Sequence, residues 1–310
     1  MTCILLGTPT FAIPTAEVLM RTSTCTLLGV ITKPDEPAGR THAMTPPPLA
    51  SWAKEHGVQY WQPGSKDELT SLLTKLRPDI GVVVAYGKII PQDALTIPRF
   101  GFVNLHPSLL PRWRGPSPIP AAIAAGDVET GVTLMRIDAE VDHGPILAQE
   151  RVPLSSAATR SSLENELAKL GARLLERTLP DYLAGGIAPK PQDHTQATMT
   201  PLLTRDDGRI DWRASAATIE RKVRAYEGWP GTWCTLPDGE RLKILEATVG
   251  AATDVAVGAI VRSDGTFGVA SGSHQLLVLQ RVQPEGKPVM DGSAFLRGHQ
   301  DLWILTQHDV

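Results

Sequence analysis

Short apolar runs alternate with amphipathic stretches through the first half of the chain. Residues 3–7, 26–32, 79–87, 102–106 and 131–137 are strand-length runs rich in Val, Ile and Leu. Between them, residues 15–21, 49–57, 66–76 and 119–126 carry apolar positions at helical spacing. Strand–helix alternation predicts an α/β fold with a Rossmann-like, mostly parallel sheet covered by helices on both faces. Residues 145–153 add a further strand. A long amphipathic helix then runs over 160–183, with Leu163, Leu167, Leu170, Leu174 and Leu175 on its apolar side and Gly185-Gly186 as its stop.

The texture changes after Gly186. Residues 188–204 hold Pro189, Pro191, Pro201 and many Thr, which reads as a linker. A helix is expected within 210–226, with Ile219, Val223 and Tyr226 on one stripe. Short strand-like runs with turn signals at Pro237-Asp238-Gly239 and Asp264-Gly265 follow, the pattern of a smaller C-terminal β-barrel. The expected division is 1–188, a linker 189–204, and 205–310.

The net charge is −3, and the region from Lys190 onward holds 13 basic against 15 acidic residues. A nucleic-acid partner would therefore have to meet a local basic patch, not a global field. Cys3, Cys25 and Cys234 are scattered without metal-ligand spacing, so reduced thiols and no metal are expected. The longest apolar runs are far short of a membrane span, and Met1 leads straight into a strand without a basic leader. These features fit a cytoplasmic protein, or one in an equivalent organellar matrix, with no membrane partner and no signal peptide.

Candidate chemistry lies at one strand end. Alternation on 102–106 puts Asn104 and His106 on one face, and Pro107 then ends the ladder. Ligands of open α/β sheets sit at the carboxyl ends of strands. An amide donor beside a group that titrates near neutrality suits acyl transfer, in which an oxyanion forms and a proton moves. Asp142 follows the strand 131–137 and precedes Gly144-Pro145. It reads either as a turn former or as a third member of that site. The turn Gly7-Thr8-Pro9 lacks the dinucleotide fingerprint, and no phosphate-binding P-loop occurs.

The uninterrupted string Asn104-Leu105-His106-Pro107-Ser108-Leu109-Leu110-Pro111-Arg112-Trp113-Arg114-Gly115 resembles the signature of the folate-dependent formyltransferases. Gly7-Thr8-Pro9-Thr10-Phe11 and Val84-Ala85-Tyr86-Gly87-Lys88-Ile89-Ile90-Pro91 are similar to further strings of that family. Arg209-Ile210-Asp211-Trp212 and Gly228-Trp229-Pro230-Gly231 resemble the tail of its branch acting on charged initiator tRNA. The resemblance implies the formyltransferase fold with an OB-like tail. It implies Asn104, His106 and Asp142 as catalytic residues. It also implies 10-formyltetrahydrofolate as co-substrate, bound near Val84, Tyr86, Gly87, Ile89, Ser108, Leu109, Leu110, Pro111 and Asp142. The expected partner is initiator methionyl-tRNA, met by Arg40, Arg112, Arg114, Arg209, Arg213, Arg221, Lys222 and Arg224 of a monomer. On the helix around Ile219 and Val223, Arg221, Lys222 and Arg224 are expected on the solvent side.

The chain departs from the family pattern in places. Glu140 and His143 stand where Gly and Thr are usual, and His143 is expected to be a bystander. The loop after Arg40 lacks the usual lysines, and Leu202 replaces a Lys. Rival readings are an amino-sugar-nucleotide formyltransferase, a formyltetrahydrofolate hydrolase, and a non-catalytic RNA-binding scaffold. An intact Asn/His/Asp set argues against the last.

Overall fold

Residues 1–38, 43–263 and 266–305 are described by the computed structural model. Two compact units emerge. The first gathers Met1–Pro118, Glu129–Pro153 and Leu163–Thr200, and the second gathers Ile119–Val128, Leu154–Ser162 and the described residues from Pro201 onward.

In chain order, the first unit contributes β1 (Thr2–Gly7), α1 (Ile13–Arg21), β2 (Thr26–Ile31), a short hairpin β3 (Glu36–Ala38) and β4 (Ala43–Thr45), α2 (Pro48–Glu55) and β5 (Tyr60–Trp61). It continues with α3 (Lys66–Leu76), β6 (Ile80–Val84), α4 (Gln92–Leu95) and β7 (Phe102–His106). Next come α5 (Pro118–Ala125), most of which falls in the second unit, then β8 (Glu129–Arg136), β9 (Ile146–Pro153) and α6 (Arg160–Leu183). The seven-stranded sheet runs β5-β2-β1-β6-β7-β8-β9. Its pairings from β5 to β7 are parallel, and β8 and β9 add antiparallel. The sheet is thus parallel at its core and mixed at one edge.

The central strands β1 and β6 are buried almost throughout, as expected of strands covered on both faces. Ile4, Leu6, Ile31, Leu69, Leu73, Val83 and Phe102 form one core cluster. Gly81 makes room for Phe102, since a Cβ there would stand 2.0 Å from the Phe102 ring. β6 ends at Val84 because Ala85 (φ +48°) and Gly87 (φ +75°) turn the chain in the left-handed region.

The second unit carries α7 (Ala216–Ala225), β10 (Thr232–Thr235), β11 (Arg241–Ala252), β12 (Ile260–Ser263), β13 (Thr266–Ala270), β14 (Gln275–Pro284), β15 (Met290–Asp291) and α8 (Gly292–Gly298). Its antiparallel sheet runs β10-β11-β14-β13-β12, with β15 on β14. Register shifts along β11 mark bulges, which bend a strand as a small barrel requires. The helix expected within 210–226 is α7, from Ala216 to Ala225. The side chain of Ser215 caps it by accepting from Thr218 N at 3.0 Å, while Ile210 N instead donates to Trp233 O. Ile219 and Val223 are buried, but Tyr226 lies past the helix end and is half-buried. Among the described residues no helix is long and apolar enough to cross a membrane.

Candidate active site

β7 lies between parallel β6 and antiparallel β8, with His106 opposite Thr133. Asn104 and His106 therefore sit at the end of a central strand. Asp142 lies in the turn between β8 and β9, in the left-handed region at φ +50°. Its carboxylate gathers three groups. Asn104 Nδ2 donates to Oδ1 at 3.3 Å, Gly115 N donates to Oδ2 at 2.8 Å, and His106 Nδ1 stands 3.5 Å from Oδ2. His106 Nε2 lies 2.8 Å from Trp113 O, and a carbonyl can only accept, so this nitrogen carries hydrogen. The His106 side chain is 5% exposed and that of Asp142 13%, so water screens the pair little.

Backbone strain concentrates here. Ala85, Trp113 and Asp142, none of them glycine, all have positive φ. Gly115 at φ +101° allows close approach, since a Cβ there would be 2.5 Å from Thr200 O.

The loop after His106 is fastened from below. Thr133 Oγ1 donates to Ser108 O at 2.7 Å and accepts from Leu110 N at 3.1 Å. Gln149 Nε2 donates to Leu110 O at 2.9 Å. Ser108 is fully buried with its hydroxyl on Arg112 O at 2.6 Å, and Val84 is fully buried in β6. Leu110 is buried, Leu109 and Pro111 are half-buried, and Gly87 and Ile89 are exposed. Tyr86 turns its ring into the core. Its hydroxyl is buried with no partner among the described residues, and burial pushes its pKa up to about 12. Its carbonyl accepts from Thr8 Oγ1 at 2.8 Å, which ties the turns after β1 and β6 together.

The basic residues expected to meet RNA fall into two groups. Arg40 lies outside the described residues. Arg112 and Arg213 are exposed, Arg112 over the Trp113 ring and Arg213 paired with Asp211 at 3.0 Å. Arg209 is half-buried. The remaining ones depart from expectation. Arg114 is buried, its guanidinium donating to Gln192 Oε1 and to His194 Nδ1. Arg221, Lys222 and Arg224 are not on a solvent face but half-buried and bonded within the unit. Arg221 donates to Ala124 O, Lys222 to Arg209 O at 2.7 Å, and Arg224 to Glu220 and Ala158 O. Loss of hydration holds the Lys222 ammonium below the usual lysine range. Amphipathic spacing places these charges on the polar side but is blind to the acceptors waiting there.

His143 does not join the cluster. Its Nδ1 lies 2.7 Å from Asp138 Oδ2, and its ring stacks on His194 at 4.0 Å. Among the described residues no group of three or more His, Cys, Asp or Glu is arranged to hold a metal ion. The sequence reading missed the residues that hold the site: Thr133, Gln149, Gln192, Thr198 and Thr200. Thr198 Oγ1 accepts from Trp113 N at 2.8 Å, and Thr200 N donates to Arg114 O at 2.7 Å. Thr133, a polar residue set between Val132 and Leu134, was the one local signal among them.

The formyl transferase family model matches residues 3–179, and the model of the formyl transferase C-terminal domain matches residues 202–300. The methionyl-tRNA formyltransferase of Roseiflexus sp. (strain RS-1) is 46% identical over 95% of this chain and 91% of its own length. That of Chloroflexus aurantiacus (strain J-10-fl) is 44% identical over 97% of this chain and 98% of its own. Among solved structures, the N-formyltransferase of Helicobacter canadensis, determined with folinic acid and dTDP-3-aminofucose, is similar at a TM-score of 0.67 and 16% identity, covering 90% of this chain and 99% of its own. HypX from Aquifex aeolicus, determined with tetrahydrofolic acid, gives a TM-score of 0.62 at 16% identity over 96% of this chain. This chain spans only 47% of HypX. At such identities the structures speak for the fold alone, whereas the family models and the close relatives speak for descent: this chain belongs to the formyl transferase family.

Proposed function

We propose that this chain moves the formyl group of 10-formyltetrahydrofolate to the α-amine of methionine carried on initiator tRNA, in support of translation initiation. The observation that carries this reading is the convergence of Asn104, His106 and Gly115 N on the Asp142 carboxylate at a strand end. It is made in a chain similar from end to end to methionyl-tRNA formyltransferases.

The neutral amine attacks the formyl carbon directly. Asn104 has one amide hydrogen on Asp142 and a second to offer the developing oxyanion. His106, held between Trp113 O and Asp142, supplies positive charge or a proton at the tetrahedral centre, and Asp142 stabilises that charge. The amine proton leaves through water toward Asp142. As the carbon–nitrogen bond to the folate breaks, N10 takes up a proton. Holding two large substrates in line supplies much of the rate, with no covalent enzyme intermediate.

The donor sits along the turn after β6 and the loop 108–111. Val84, Tyr86 and Ser108 act there by shaping the backbone, because their side chains face the interior. Residues 1–188 supply the catalytic groups, Gln192, Thr198 and Thr200 of the stretch 189–204 brace them, and 205–310 bind the tRNA. Of the cations expected to meet RNA, Arg112 and Arg213 are exposed and Arg209 half-buried, and these three are taken to meet phosphate.

The test offers purified protein and 10-formyltetrahydrofolate three acceptors: methionyl initiator tRNA, free methionine, and an amino-sugar nucleotide. Formylation confined to the charged tRNA is expected. Formylation of the sugar nucleotide, or donor hydrolysis without any acceptor, overturns the reading.

A further inference from the structure

Gln192 lies in a segment whose prolines read as a linker, yet the residue is buried, at 5% exposure. All of its capacity is engaged at two places. Oε1 accepts from Arg114 Nε at 3.1 Å and from the Arg114 terminal nitrogen at 2.7 Å. Nε2 donates to Asp142 O at 2.9 Å and to Gly144 O at 2.7 Å. One amide thus bridges the turn that presents Asp142 and the loop that presents Trp113 O and Gly115 N. Those are the groups that define where the carboxylate and imidazole stand.

We propose that Gln192 is a positioning residue that clamps the Asp142 turn to the Arg114 loop and so fixes the Asp142 carboxylate against Asn104, His106 and Gly115 N. Two features require such a clamp. Asp142 occupies the left-handed region, where a non-glycine residue persists only if its surroundings hold it. Arg114 is buried with neutral partners, Gln192 and His194, so its charge stays inside only while those acceptors remain. An amide suits both duties, since it accepts toward a cation and donates toward two carbonyls.

That double duty lets one substitution separate stability from positioning. Gln192→Glu keeps the shape and gives Arg114 a carboxylate partner, but it turns an oxygen without hydrogen toward Asp142 O and Gly144 O. Folding is retained while the Asp142 turn is pushed away. Gln192→Leu loses both sides. Tyr182→Phe, which removes a hydrogen bond to Phe100 O in the same unit outside the site, serves as the control for a merely structural loss.

The inference rests on the formyl-transfer reading, so two readouts are taken, one of them independent of activity. In Gln192→Glu, single-turnover formyl transfer should fall on the order of 100-fold, with donor KM little changed and Tm near that of wild type. Amide exchange at Gly115, whose N–H is bonded to Asp142, should speed up at least about tenfold. Tyr182→Phe should lower Tm and leave both readouts alone. If Gln192→Glu does not fold, Gln192→Asn takes its place, keeping the amide but not the reach, with the same losses expected. Wild-type protection of the Gly115 amide in the folded variant overturns the clamp, as does a rate loss smaller than about tenfold. A wild-type protein without transfer activity overturns the formyl-transfer reading instead, and leaves the clamp to be judged by exchange.

Discussion

Asp142 in the first unit and Arg224 in the second are each held by several protein groups. Asp142 receives Asn104, His106 and Gly115 N, and its side chain is 13% exposed. Arg224 reaches both Glu220 oxygens, at 2.5 and 3.0 Å, and Ala158 O at 2.7 Å, at 16% exposure. The difference lies in the partners. Those of Asp142 keep chemistry in hand, since an amide with a second hydrogen is fixed in place and left to act on something else. Those of Arg224 are plain acceptors that fill its donors and leave little to offer a phosphate. A charge surrounded by partners is therefore functional or structural according to what the partners have left over.

The largest effect should come from removing those partners. Asn104→Ala or His106→Ala should lower kcat on the order of 100- to 1000-fold while far-UV circular dichroism stays that of the folded chain. Near-normal turnover in either variant would mean that the gathered groups merely brace a turn.

Next in size is the contrast among the arginines. Arg224→Ala should lower stability by about 2 kcal/mol in a denaturant titration, because it strips a partly buried carboxylate and a carbonyl of their donor. It should leave the salt dependence of tRNA binding unchanged. Arg213→Ala should do the reverse. Its exposed pair with Asp211 contributes at most about 1 kcal/mol and exchanges easily for a phosphate, so the slope of log affinity against log salt should fall by about 1. A salt slope that responds to Arg224 and not to Arg213 would break the comparison.

The smallest effect concerns Tyr86, whose buried hydroxyl has no partner among the described residues. Tyr86→Phe should stabilise the fold by about 1–3 kcal/mol. It should also flatten part of the alkaline loss. The unfolded phenol ionises near pH 10 and the folded one near 12, so the folded state holds more protons between them. The contribution is fully present below pH 10 and is lost as pH rises through about 12. Unfolding free energies across that range check both statements. Donor KM should not change, since the hydroxyl faces the core.

Much of this arrangement was legible in the chain. Period-two alternation put Asn104 and His106 on one face, and the strand–helix alternation put that pair at the carboxyl end of a strand. Gln192, Thr198 and Thr200 were not legible, because their bonds span 48 to 87 residues and leave no local period. Proline spacing around Gln192 even suggested a linker. The charges of α7 were expected on its solvent side but are half-buried, because their acceptors come from Glu220, Arg209 and two segments distant in sequence, around Ala124 and Ala158.

The central claim is that the carboxylate of Asp142, and not the nearby His143, organises catalysis. Single-turnover formyl transfer to methionyl initiator tRNA, compared between Asp142→Asn and His143→Ala, tests it most directly. In Asp142→Asn, the new amide offers one acceptor oxygen and an NH₂ group to the three groups that now converge on a carboxylate, so transfer should fall on the order of 100-fold or more. His143→Ala removes contacts to Asp138, His194 and Glu140, none of which touches the Asp142 carboxylate, and should stay close to wild type. A larger loss in His143→Ala than in Asp142→Asn would contradict the account.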